Sequence, residues 1–66
     1  MNVILNGETR VLAEGRTLAE WLDELHLVPG RLACEVNGAV VRRADYARVQ
    51  LAEGDRVEIV QMMGGG

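Results

Sequence analysis

A small α+β domain, a mixed sheet with one main helix packed across it, is what the sequence predicts, and three observations predict it. Short runs such as Leu32-Ala33-Cys34-Glu35-Val36 and Arg56-Val57-Glu58-Ile59 alternate apolar with polar residues, the period of a strand buried on one face. One segment breaks that rhythm: Leu18, Trp21, Leu22 and Leu25 recur at i, i+3, i+4 and i+7, a single apolar stripe on a helix. Turn-forming pairs, Asn6-Gly7, Pro29-Gly30 and Asn37-Gly38, separate the runs. With 66 residues and no internal repeat or linker, the chain reads as a single domain, 1–66, since domains usually run to about 100–150 residues.

Asn2 to Leu12 reads as a hairpin around Asn6-Gly7, a pair suited to the positive φ angles of a tight turn. A two-residue loop would put Val3 and Leu5 across from Arg10 and Glu8, whereas one extra residue would align them with Val11 and Thr9; apolar matching favours the bulged loop. Thr17-Leu18-Ala19-Glu20 is a capping box that opens the helix. Pro29-Gly30 stops it after about three turns, because proline lacks the N–H a helix needs. Leu32, Cys34 and Val36 then share one strand face, and Asn37-Gly38 makes a two-residue turn toward Ala39 and Val41. Ala44 to Arg48 is expected to form one helical turn before Val49 and Leu51 rejoin the core. After the turn at Glu53-Gly54-Asp55, Arg56 to Met62 is a last strand with Val57 and Ile59 inward and Arg56 and Glu58 outward.

Composition narrows the function. Hydrophobic residues at 48% and charged residues at 26% describe a chain that folds. A net charge of −3 leaves no basic surface to displace counterions from a phosphate backbone, which argues against nucleic-acid binding. One cysteine, Cys34, and one histidine, His26, supply neither an intramolecular disulfide nor a zinc ligand set. No stretch fits a membrane span or a signal peptide, so the expected location is the cytoplasm.

No nucleophile, base and orienting partner stand out together, so the chain is not read as an enzyme. His26 falls at the helix C-terminus and reads as structural. Cys34 sits on an apolar strand face, where a small buried hydrophobe and a reactive thiol are both open readings. Glu20, Asp23 and Glu24 read as a solvated acidic helix face, and Arg42-Arg43 as an ordinary surface pair. The unusual feature is the tail, about 62–66, Met62-Met63-Gly64-Gly65-Gly66. It follows a core strand without a linker. Fully extended, the segment from Val60 to Gly66 reaches on the order of 20 Å. Gly64 and Gly65 lack Cβ atoms and suit a narrow channel in another protein, with the Gly66 carboxylate at the tip. Such a carboxylate is ionised and a poor electrophile until it is joined to a leaving group such as AMP. A sulfur nucleophile could then convert it to a thiocarboxylate. Ordering flexible chain costs about 1–2 kcal/mol per residue, so the folded body must anchor the tail on its partner, and Val60, Met62 and Met63 are the expected apolar contacts.

Several segments together resemble the thiamine-biosynthesis sulfur carriers, the ThiS family of ubiquitin-like β-grasp proteins: the Asn6-Gly7 hairpin, Gly15-Arg16-Thr17-Leu18, Val36-Asn37-Gly38-Ala39-Val40-Val41, Leu51 to Ile59, and the terminal glycines. The resemblance covers essentially the whole chain. It implies that Gly66 is adenylated by a ThiF-like, E1-like activating enzyme using ATP and magnesium, and then takes sulfur from a desulfurase system. The resulting thiocarboxylate would pass its sulfur to thiazole synthase, a ThiG-like enzyme. The resemblance assigns no cofactor to the chain itself and no function to Cys34. Molybdopterin-synthase small subunits and tRNA-thiolation carriers share the pattern, as do ubiquitin-like protein modifiers. A plain interaction module with incidental glycines is the remaining alternative.

Overall fold

In the computed structural model, which describes residues 1–62, the strands β1 (Asn2–Leu5) and β2 (Glu8–Val11) precede the helix α1 (Leu18–Glu24). After it come β3 (Leu32–Val36), β4 (Ala39–Val41) and β5 (Arg56–Gln61), with 3₁₀ turns at Pro29–Arg31 and Arg43–Asp45. The five strands form one sheet in the order β2-β1-β5-β3-β4. β5 runs parallel to β1 and antiparallel to β3. The last strand in sequence is therefore the central one. A parallel pair needs a long crossover, and the segment containing α1 supplies it.

Both hairpins turn through Asn-Gly pairs at positive φ, Asn6 at 48° and Gly7 at 85°, Asn37 at 53° and Gly38 at 85°. Two consecutive positive angles are the type I′ requirement, whose twist matches that of the flanking strands. The first hairpin corrects the bulged loop expected from apolar matching: Leu5 pairs with Glu8 and Val3 with Arg10, a two-residue loop. Apolar matching fails because β2 is an edge strand, exposed along its whole length. Its register is set by the turn. Leu12, just beyond the strand, supplies the buried side chain instead.

The capping box forms as the sequence indicates. Thr17 Oγ1 accepts the Glu20 N–H at 3.1 Å, and Glu20 Oε1 accepts the Thr17 N–H at 2.9 Å. The other end differs. α1 is seven residues long rather than three turns, and it stops well before Pro29. His26 takes φ 59° and donates its N–H to the Asp23 carbonyl at 3.0 Å, while the Leu27 N–H reaches the Leu22 carbonyl at 3.0 Å. This pair of bonds is a Schellman stop, with histidine where glycine is usual.

α1 covers one face of the sheet. Leu18 and Leu22 are fully buried against Val3, Cys34 and Val57, and Trp21, Tyr46 and Leu51 close the sides. Each such side chain contributes about 1.5–3 kcal/mol on leaving water. The helical turn expected at Ala44 to Arg48 appears one residue earlier, and it delivers Tyr46 to the core. No helix among the described residues is long and apolar enough to cross a membrane.

Candidate functional site

Two asparagine side chains fasten β5. At its start, Asn37 Oδ1 accepts the Arg56 N–H at 3.0 Å and Asn37 Nδ2 donates to Asp55 Oδ1 at 3.0 Å. Further along, Asn6 Oδ1 accepts the Ile59 N–H at 2.9 Å and Asn6 Nδ2 donates to the Ile59 carbonyl at 3.1 Å. The Asn6 carboxamide thus occupies the place of one more β1 peptide group. Backbone bonds continue on the other side of β5, where the Met62 N–H donates to the Arg31 carbonyl at 2.8 Å. The tail expected from residue 62 therefore begins with Met62 still tied to the neighbouring chain. Met63, Gly64, Gly65 and Gly66 lie outside the described residues, and with them the expected roles of Gly66 as the modified residue, of Gly64 and Gly65 in threading, and of Met63 as a contact.

The strand alternation puts Val60 and Met62 on the face away from α1. Val60 is 63% exposed and Met62 56%, so neither packs into the core. By register, Ala33 lies beside Val60, Val40 beside Glu35, and Ile4 beside Arg56. Val11 extends the same face at 82% exposure. An apolar rim thus surrounds a charged centre of Glu35, Arg56 and Glu58, over an open depression of about 480 Å³. Sequence reasoning did not single out Ile4, Val11 and Val40. For Val11 the signal lay in the register of the first hairpin, which the apolar-matching argument misread; for Ile4 and Val40 it lay in plain strand alternation.

The remaining candidates have structural partners. Cys34 is completely buried, and burial pushes its thiol up, away from the reactive thiolate. Tyr46, packed beside it, is pushed up to about 12, chiefly by burial. Glu20 is held low, first by the Thr17 backbone N–H it accepts. Glu24 pairs with Arg16, and Arg42 with Asp45 at 3.7 Å. Arg43 lies over Gly30. His26 is exposed at the Schellman stop. What the described residues offer is a firmly held strand end with an apolar-rimmed face beside it.

Comparison with known proteins identifies the fold and the family. A solved crystal structure of the thiamine biosynthesis protein ThiS from Geobacter metallireducens superposes with a TM-score of 0.85 at 32% identity, covering all of both chains. The sulfur carrier protein ThiS of Escherichia coli is 27% identical over the full length of both. Thiazole synthases from Magnetococcus marinus and Paramagnetospirillum magneticum are 42% and 36% identical over all 66 residues. The chain spans about a fifth of the length of those two enzymes, 20% in each case. The ThiS family model matches residues 3–66, and the chain belongs to the ThiS family.

Proposed function

We propose that the chain is a sulfur carrier of thiamine biosynthesis and that the Gly66 carboxylate is the group that carries the sulfur. Membership in the ThiS family supports this reading. The observation that carries it is the placement of three glycines, Gly64 to Gly66, with only Met62 and Met63 between them and the central, doubly fastened strand β5. A rigid base and a slim tip divide the work: the folded body docks, and the tip enters another protein's active site.

In this reading an adenylating enzyme of the ThiF type, using ATP and magnesium, joins Gly66 to AMP with loss of pyrophosphate. A persulfide of a desulfurase system then attacks the acyl carbon through its outer sulfur and AMP leaves; a thiol cleaves the resulting acyl disulfide, leaving the thiocarboxylate and a disulfide. Thiazole synthase takes the sulfur. Relatives in which a sequence like this one makes up a fifth of a thiazole synthase support that partnership. Val60, Met62 and Met63 serve as apolar contacts at the base of the tail, consistent with the exposure of the first two.

Intact-mass spectrometry tests the proposal. After incubation with a ThiF-type enzyme, ATP, magnesium and a sulfur donor, the chain should gain the mass of one oxygen-to-sulfur exchange. The gain should vanish when Gly65 and Gly66 are deleted. An unchanged mass with an enzyme that loads another ThiS protein in parallel would refute it.

A further inference from the structure

The two sides of β5 end at different places. On the β3 side, the bonds Asn37 N–H to Arg56 carbonyl and Met62 N–H to Arg31 carbonyl mark the ends of an unbroken register. Antiparallel pairing alternates, so the peptide groups of Arg56, Glu58, Val60 and Met62 face β3, and those of Val57, Ile59 and Gln61 face β1. On that second side Val57 is bonded to β1 and Ile59 to the Asn6 side chain. The chain of β1 has by then turned away through Asn6-Gly7. The Gln61 N–H and carbonyl have no partner among the described residues. Beside them lies an open notch of about 270 Å³ lined by Leu5, Asn6, Leu27, Ile59 and Gln61. Among the described residues, one half of a strand edge is thus left without a partner where the tail starts, with a largely apolar recess next to it.

Resting on the reading above, we propose that thiazole synthase adds an extended segment to this sheet, in line with β1 beyond Asn6. That segment would exchange backbone hydrogen bonds with Gln61 and set a small apolar side chain into the notch. Strand addition takes affinity from main-chain bonds and selectivity from the side-chain recess. Thiazole synthase is the partner favoured here because relatives carry a sequence like this one as a fifth of a thiazole synthase, and Gln61 is five residues before Gly66, on the order of 17 Å of extended chain. A segment paired there stands next to any active site the tip has entered. The Asn6 carboxamide, by closing the ladder at Ile59, fixes where the partner's segment must begin.

Amide hydrogen exchange on the intact chain, alone and with thiazole synthase, tests this. The Gln61 amide should exchange freely in the isolated chain and slow by about tenfold or more in the complex. The Val60 amide, bonded toward β3 throughout, serves as the internal reference. Gln61→Pro removes the N–H on the side away from β3, where proline is tolerated, whereas Gln61→Ala keeps it. The proline variant should bind about tenfold more weakly and the alanine variant within about twofold, for one lost hydrogen bond. A Gln61 amide that stays unprotected in a formed complex overturns the proposal and leaves the sulfur-carrier reading intact. Protection already present in the isolated chain overturns it in favour of the chain's own tail, and protection that grows with concentration in favour of a second copy. Failure of the unmodified chain both to bind thiazole synthase and to acquire sulfur removes the underlying reading and this inference with it.

Discussion

Both faces of the sheet carry valines, and they do opposite things with them. On one face Val3, Val57 and Cys34 disappear beneath Leu18 and Leu22 of the helix. On the other, Val11, Val40 and Val60 remain in water around Glu35, Arg56 and Glu58. A valine in a strand stabilises this fold only where α1 reaches it. Among the described residues a single seven-residue helix covers one face, which leaves the apolar residues of the other face exposed.

Substitutions matched across the sheet break or sharpen that contrast. Leu22→Ala on the covered side should lower unfolding free energy by about 2–5 kcal/mol, through lost burial and the cavity left behind, measured by urea denaturation with Trp21 as reporter. Val60→Thr on the open side should change stability by no more than about 0.5 kcal/mol, yet weaken binding to the activating enzyme or thiazole synthase severalfold. Equal stability losses at the two positions would erase the distinction between the faces.

Next in size is the fastening of β5. Asn6→Gly keeps the positive φ the turn needs and removes only the carboxamide bonded to Ile59. It should cost about 1–2 kcal/mol in the same denaturation experiment. A smaller change of the opposite sign is expected at the helix stop: His26→Gly relieves a left-handed backbone and should stabilise by about 0.5–1 kcal/mol, read as a raised melting temperature.

Alkali should act on the covered face through Cys34 and Tyr46. Cys34 and Tyr46 both bind their protons more tightly folded than unfolded, chiefly because burial disfavours the charged forms. Their contribution is complete below the ordinary thiol and phenol values. It should fall as pH rises through the ordinary tyrosine value of about 10 toward about 12, where folded Tyr46 titrates. Stability flat across that interval would contradict the buried placement of the pair.

Much of this contrast was legible beforehand, and the parts that were not have identifiable causes. Period-two runs placed Cys34, Val57 and Ile59 inward, and the capping box at Thr17 and Glu20 marked the helix start, because both signals are local. The first hairpin was misread because matching Val3 and Leu5 to Val11 presumed that β2 had a buried face to satisfy. The helix end was misread because Pro29 is the stronger local signal, whereas a histidine in the left-handed region leaves no mark in the sequence. Of the site, the exposure of Val60 and Met62 and the central place of β5 follow from long-range pairing, as do the side-chain bonds of Asn6 and Asn37, formed across 53 and 19 residues. Composition cannot reveal bonds of that range.

Fragmentation mass spectrometry of the loaded chain addresses the central claim most directly, by locating the sulfur. After incubation with a ThiF-type enzyme, ATP and a sulfur donor, the extra mass should fall on Gly66 alone, with the peptide containing Cys34 unaltered. Sulfur found on Cys34, or a Gly66 that keeps both oxygens after the enzyme has turned over ATP, would contradict the account.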